Sequence, residues 1–392
     1  MTRIERYIVD FIDRHLKALL LVFFLIIGLA IRWVGRGYLT GDMGQYLLPW
    51  FDEIKQTGGL ASLYHQVGDY GLLYQTLISV MTYIDLSPVY QYKMLSVLFD
   101  IALAITVGHV CKHELSRYKT DTCNANRGGV ISAVVIFLLP TVFINSAFWG
   151  QCDSMYSAFC VATLYFLSRD AFKTAFAFLG LAFACKLQSI FILPFIITYY
   201  VKSRKFSLLN LLITIAVVWA SGIVAFLYGR SMLAPFTIYS AQTSEYAHMF
   251  MNFPSFWMLA GDNYAALKYP AIIITLALCT FGAVFVYKDK HSISDRYYPY
   301  AVWFVWTMVL FLPSMHERYA YLLDVLLILT ACIDKRIIKY AAVSCCISLW
   351  TYSNYIFMRD EKDKAMVVVA IIFLVTYAHY SYRLLLPSKE IQ

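Results

Sequence analysis

His316, Glu317 and Arg318 stand side by side between two long apolar runs. Charges at the edge of a membrane span are costly and ordinarily face a polar cavity. Arginine beside histidine offers an anion a planar fork of donors, a chemistry suited to phosphate. The plainer role is structural, an ion pair of Glu317 with Arg318 or of either with a neighbouring helix. Lys186, followed by Gln188, is the most isolated charge in the chain. Its ammonium also suits a phosphate oxygen; its plainer role is to snorkel to the interface. Two acids offer a different chemistry. Asp42, in Gly41-Asp42-Met43-Gly44-Gln45-Tyr46, directly follows the first apolar run, and flanking glycines leave its carboxylate accessible. A carboxylate so placed can take a proton from a hydroxyl as general base, or cap a helix. Asp153 ends Trp149-Gly150-Gln151-Cys152-Asp153. Aromatic, amide and acid together suit carbohydrate contact, or else an interfacial tryptophan and a helix cap. Asp42 and Asp153 are the pair that could share a divalent ion such as Mg or Mn through oxygen ligands. No other cofactor is required. Arg230, Glu245, His248 and Asp262 make another polar stretch without a specific pattern, and Arg359 to Lys364 reads as a solvated loop.

The elements that must position these residues are membrane helices. Of 392 residues, 60% are hydrophobic and only 14% charged, against roughly 25% charged in soluble domains. No polar stretch exceeds a loop, so no soluble domain is left over. The net charge of +8 sits in short clusters between apolar runs. It reads as orientation charge, not as a nucleic-acid surface. Cysteines occur without metal or redox spacing and read as small membrane hydrophobes. A crossing helix needs roughly 20 apolar residues, which predicts an all-α polytopic membrane protein of about twelve spans, within a range of about 10 to 13. Clear spans begin near Leu19, Met94, Val130, Leu208, Ala271, Ala301, Tyr319, Ile338 and Met366. Residues 154–201, interrupted at Ser168-Arg169-Asp170 and at Lys186-Leu187-Gln188, divide into short or tilted spans. The first apolar run continues past Ala30 without a small-residue cleavage site and reads as a retained span.

Orientation follows the Lys and Arg bias. With both termini cytoplasmic, inner loops carry Arg3 to Lys17, Lys112 to Arg127 (with Lys119), Arg169 and Lys173, Lys202 to Lys205, Lys288 to Arg296, and Lys335 to Lys339. Asp42, Asp153, Lys186 and the His316 triplet then share the external face. The long first external loop, 37–91, contains two aromatic, amphipathic segments suited to helices lying in the interface plane.

In chain order these motifs resemble the GT-C superfamily of polytopic glycosyltransferases, which take sugars from polyprenyl phosphates. Asp42 occupies the place of the catalytic acid. Gly68-Asp69-Tyr70 resembles the Asp-Tyr-Pro-Pro-Leu segment of dolichol-pathway glucosyltransferases, here without the prolines. Phe148 to Asp153 resembles the Trp-Gly-Gln-x-Asp element of bacterial Gtr-like members and mannosyltransferase relatives. Phe183 to Pro194 resembles their Lys-x-Gln segment, and Met315 to Tyr319 their His-Glu-Lys/Arg-Tyr element. The resemblance implies a single transmembrane domain over 1–392 and an inverting hexosyl transfer. The donor is an undecaprenyl- or dolichyl-phosphate sugar, and the acceptor a glycan or lipid-linked glycan at the external face. Asp42 would be the base. Lys186, Arg318, His316 and Gln188 would hold the lipid phosphate. Asp153, Gln151, Trp149, Gln45, Tyr46, Asp69 and Glu317 would contact sugar or acceptor. The setting is a bacterial plasma membrane or, alternatively, the endoplasmic reticulum. The competing expectations are a transporter or flippase for lipid-linked glycans, and a surface-polymer polymerase or ligase.

Overall fold

A computed structural model describes residues 1–117, 121–356 and 363–385; of residues 240–245, 363 and 364 it describes the backbone alone. Lys119, the side chain of Glu245 and most of the Arg359–Lys364 run therefore lie outside the described residues.

Helix α1 (Arg3–Gly35) joins the basic N-terminal stretch and the first apolar run in one rod. It therefore starts well before Leu19. Thr2 and Glu5 begin it with reciprocal hydrogen bonds, each side chain accepting from the other's backbone N–H, so two helix-end donors are satisfied at once. A π-helical turn (Met43–Leu47) then runs into α2 (Leu48–Gln56), followed by α3 (Leu72–Met81). Helix α2 buries Phe51 and Ile54 and leaves Asp52, Glu53 and Lys55 exposed. That one-sided pattern is amphipathic.

Next come α4 (Pro88–Arg117) and α5 (Thr122–Leu138). After a 47° bend come α6 (Pro140–Phe143) and a second π-helical turn, Ile144–Phe148. The bend falls at Pro140, which has no N–H to continue the ladder. The stretch 154–201 divides where the charges interrupt it. Its parts are α7 (Asp153–Ser168), α8 (Phe172–Cys185) and α9 (Leu193–Ser203), the last entered by a 3-10 turn, Leu187–Ile192. Then come α10 (Leu211–Ala220), α11 (Ile223–Leu227) and α12 (Ala234–Glu245). The chain ends with α13 (Tyr264–Lys288), α14 (Tyr297–Phe311), α15 (Tyr321–Ile333), α16 (Ile338–Ile356) and α17 (Asp363–Leu385). Two short strands, β1 (Phe250–Met251) and β2 (Met315–His316), pair in parallel.

Burial sorts the helices. Along α14 nearly every residue is buried, including Trp303, Phe304 and Trp306, and α15 is similar. These two form the centre. By contrast, α1, α13 and α17 turn Phe23, Ile26, Ile273, Phe281, Val368 and Val375 outward. Apolar side chains facing outward on long helices suit lipid. Among the described residues, α1, α4, α13 and residues 365–385 of α17 are long and apolar enough to cross a membrane. The bent α5–α6 pair adds a fifth if it is one span. This is the make-up of a membrane-embedded all-α protein. Helices such as α8, α10 and α15, of 10–17 residues, are shorter than the roughly 20 residues of a full crossing.

Candidate functional site

Asp42 stands at the head of the first π-helical turn and caps no helix with its side chain. Its Oδ2 accepts hydrogen bonds from Trp149 Nε1 at 2.9 Å and Gln151 Nε2 at 3.0 Å. Its Oδ1 accepts from the Tyr355 hydroxyl at the end of α16. Gly150, between the two motif donors, has φ +78°, a conformation that favours glycine. A Cβ there would also come 2.9 Å from Met43 Sδ. The glycine thus lets Trp149 and Gln151 reach one carboxylate. Trp149 is fully buried, so it is no interfacial anchor. Its ring stacks on Tyr355, with centroids 4.9 Å apart, and meets Tyr352 edge-on at 5.2 Å.

Asp153 lies in the first turn of α7. Its Oδ1 pairs with Lys186 Nζ at 2.5 Å, and its Oδ2 accepts from Asn145 Nδ2 at 2.8 Å. Lys186 ends α8 in extended conformation, which turns its side chain inward. It is buried and does not snorkel. Its ammonium also lies 5.4 Å from the centre of the Tyr70 ring.

Arg318 connects the two acids. Its Nη1 is 3.5 Å from Asp42 Oδ2, and its Nε is 3.9 Å from Asp153 Oδ2. Nη1 also donates to Glu317 Oε1 at 3.0 Å. The structural pairing of Glu317 with Arg318 is therefore present, within a larger cluster. The guanidinium carbon lies 5.7 Å from the Trp149 ring. Among the described residues, Arg318 Nε and His316 Nε2 are buried with no hydrogen-bond partner. Burial, reinforced by Arg318 and Lys186, pushes His316 down to about 3, so its ring is neutral at pH 7. Burial pushes Glu317 up to about 7; Arg318 opposes this shift and Asp42 adds to it. Glu317 therefore titrates close to neutrality.

Tyr70, ahead of α3, donates to Gln151 Oε1 at 2.9 Å. The structure thus brings together Asp42, Trp149, Gln151, Asp153, Lys186, Glu317 and Arg318. His316 lies alongside, and Gln188 is partly buried in the 3-10 turn that follows Lys186. Three expected residues are not gathered in. Gln45 and Tyr46 are exposed on the π-helical turn, where Tyr46 packs on Trp50 with ring centres 5.8 Å apart. Asp69 is exposed, and its neighbour Tyr70 makes the bond to the motif. Sequence reasoning missed Tyr70, Asn145 and Tyr355. Asn145 and Tyr355 carry no local signal in a chain with 31 tyrosines. Tyr70 lies inside the Gly68-Asp69-Tyr70 motif and was legible there. His248 and Asp262 pair with each other at 2.6 Å, where Asp262 also accepts from Met249 N.

The donor set does not fit a divalent ion shared by Asp42 and Asp153. Both carboxylates are committed to N–H and O–H donors, and the Arg318 guanidinium is the cation they share. Among the described residues, no group of three or more His, Cys, Asp or Glu could hold a metal. The arrangement can instead hold an anion with the spare donors of Arg318, and Asp42 can take a proton where an incoming hydroxyl displaces one of its donors, such as the Tyr355 hydroxyl. No known family model matches the chain, and no curated protein matches it.

Proposed function

We propose that this protein is an inverting glycosyltransferase. It moves a hexose from a polyprenyl-phosphate donor to a glycan or lipid-linked acceptor at a membrane surface. The observation carrying this reading is the convergence of Asp42, Asp153 and Lys186 on Arg318. It gathers a carboxylate and a guanidinium whose Nε has no hydrogen-bond partner among the described residues into one buried cluster, which supports this reading. The acceptor hydroxyl loses its proton to Asp42 as its oxygen bonds the anomeric carbon. The bond from that carbon to the phosphate oxygen breaks, and the lipid phosphate leaves with the electron pair. Arg318 stabilises the charge developing on that oxygen, as fixed donors do in a water-poor site. Lys186 acts with a qualification. It is bound to Asp153, so it supplies positive potential and its remaining donors, not a free ammonium. A neutral His316 can donate from Nε2 if its proton sits there.

Taking α7, α8, α9, α10, α14, α15, α16 and the bent α5–α6 pair as tilted or partial crossings beside the four long helices would give about twelve spans. We place the site on the external face and both termini in the cytoplasm, from the bias of basic residues between spans.

The test is purified full-length protein in lipid nanodiscs, given radiolabelled polyprenyl-phosphate sugars and a candidate acceptor. Released lipid phosphate and glycosylated acceptor should appear together. Asp42→Asn retaining wild-type transfer would falsify the base assignment. One observation favours a carrier for lipid-linked glycans instead: charged pairs inside apolar helices, such as Arg32 with Asp100, recur in transporters. Donor that is moved across the bilayer but never consumed would favour that reading.

A further inference from the structure

Arg32 of α1 and Asp100 of α4 form an ion pair remote in sequence from the site motifs. Arg32 is 4% exposed and Asp100 0%. Arg32 Nε and Nη2 both donate to Asp100 Oδ2, at 3.0 and 2.8 Å. The Ser146 hydroxyl donates to the same oxygen at 2.5 Å. Arg32 Nη1 donates to Gly28 O at 3.1 Å, and the guanidinium packs on Phe137, 3.9 Å from the ring centre. Breaking up such a pair is costly, whereas exchanging both partners for apolar residues is often neutral or stabilising. Stability alone is therefore a poor reason for a buried pair.

What the pair holds is more telling. Ser146 lies within the π-helical turn Ile144–Phe148. Next to it, Asn145 donates to Asp153. Beyond it, Trp149 donates to Asp42. Such turns are rare and cluster at functional sites; this one aims a residue at each acid. Helix α1, which leads to Asp42, is fastened at the same place. Lys93, seven positions before Asp100 and so on the same face of α4, donates to Gly35 O at 2.8 Å and Tyr38 O at 2.5 Å. Gly35 lies so close to the turn that a Cβ would meet Ala147 O at 2.8 Å. Thr40 Oγ1 donates to Trp149 O at 3.2 Å.

We infer that Arg32, Asp100 and Ser146 are positioning residues for the site. They fix the π-helical turn against the end of α1, and so set where Trp149 and Asn145 meet Asp42 and Asp153. This rests on the transfer reading for its kinetic consequence, but not for its structural one.

The test compares Asp100→Asn, Ser146→Ala and the apolar double variant Arg32→Met/Asp100→Leu, all in full-length protein. The double variant is expected to melt within a few degrees of wild type. Its kcat should still fall on the order of 100-fold, with KM changed less than about threefold, because a misplaced contact is lost mainly in the transition state. Hydrogen exchange of residues 144–153 should quicken by about tenfold or more while α13 stays unchanged, as expected of local opening. That exchange readout needs no turnover. If wild type transfers no sugar, the function reading fails, and exchange alone decides the inference. A double variant of wild-type stability with wild-type exchange in 144–153 overturns it, as does one with wild-type kcat. Should the double variant fail to fold, Ser146→Ala takes its place, and the same exchange result decides.

Discussion

The two ends of the helix bundle handle charge in opposite ways. At the site end, Asp42, Asp153, Lys186, Glu317 and Arg318 are withdrawn from solvent and bound to one another. At the other end Glu114 is buried beside Arg117 and His113, but other pairs are open to water. Lys205 and Asp170 meet at 2.9 Å with both side chains 48% exposed, and Arg336, 89% exposed, pairs with Asp334. The basic end also has a pocket of about 330 Å³, lined by Glu114, Asp295, Tyr298, Asp334 and Lys335 among others. Exposed pairs contribute little because water already solvates them, whereas buried pairs are held under a desolvation penalty that only close partnering offsets. The contrast marks the end to which we assign the proposed chemistry.

The contrast can be broken or sharpened by mutation. The largest effect is expected from Asp42→Asn, which removes the proposed base. Transfer should fall by about 10² to 10⁴-fold, measured in the nanodisc assay, with folding retained. Next is Lys186→Met, which leaves Asp153 buried without its closest cation. A loss of about 3–5 kcal/mol is expected, read as a lower unfolding midpoint in denaturant. An unchanged midpoint would show that Asp153 does not depend on this partner.

A third prediction concerns pH. Glu317 is raised to about 7. The stability it contributes is fully present below the ordinary carboxyl range and is lost as pH rises through about 7. His316 is depressed to about 3, so its contribution is present above the ordinary histidine range and is lost as pH falls toward 3. Between about pH 5 and 6.5 the two contributions oppose each other, so melting temperature should stay nearly level there in wild type and rise with pH in Glu317→Gln. An unaltered slope in that variant assigns the pH dependence to other groups. The smallest effect belongs to the basic end. Lys205→Ala should change stability by no more than about 1 kcal/mol, and more salt should shrink even that. A large loss there would erase the distinction between the two ends.

Much of this was legible in the sequence, for identifiable reasons. Charges are so scarce in the apolar runs that Lys186 and Arg318 stood out, and their convergence with Asp42 and Asp153 could be expected from the shared face. The breaks at Ser168-Arg169-Asp170 and Lys186-Leu187-Gln188 were legible because charge interrupts a long apolar run. Tyr355 and Asn145 were not, because their meaning arises only when α16 and the π-helical turn reach the acids. The surroundings of Gln45 and Tyr46 were hidden for a related reason. Sequence proximity to Asp42 suggested a shared site, but the turn after Asp42 points them outward. The partnership of Arg32 with Asp100 was hidden too, since charges 68 positions apart carry no mark of each other.

The two π-helical turns, Met43–Leu47 and Ile144–Phe148, flank Asp42 and Trp149. Each widens its coil by roughly one residue over an α-helical turn. Removing one residue from either would let the coil close as α-helix and swing the downstream chain by about 100°, one residue's share of a turn. Chain length in these two places is therefore constrained more tightly than side-chain identity. A point change there alters a contact, whereas a single-codon deletion would point Trp149, or the chain leaving Asp42, in a different direction.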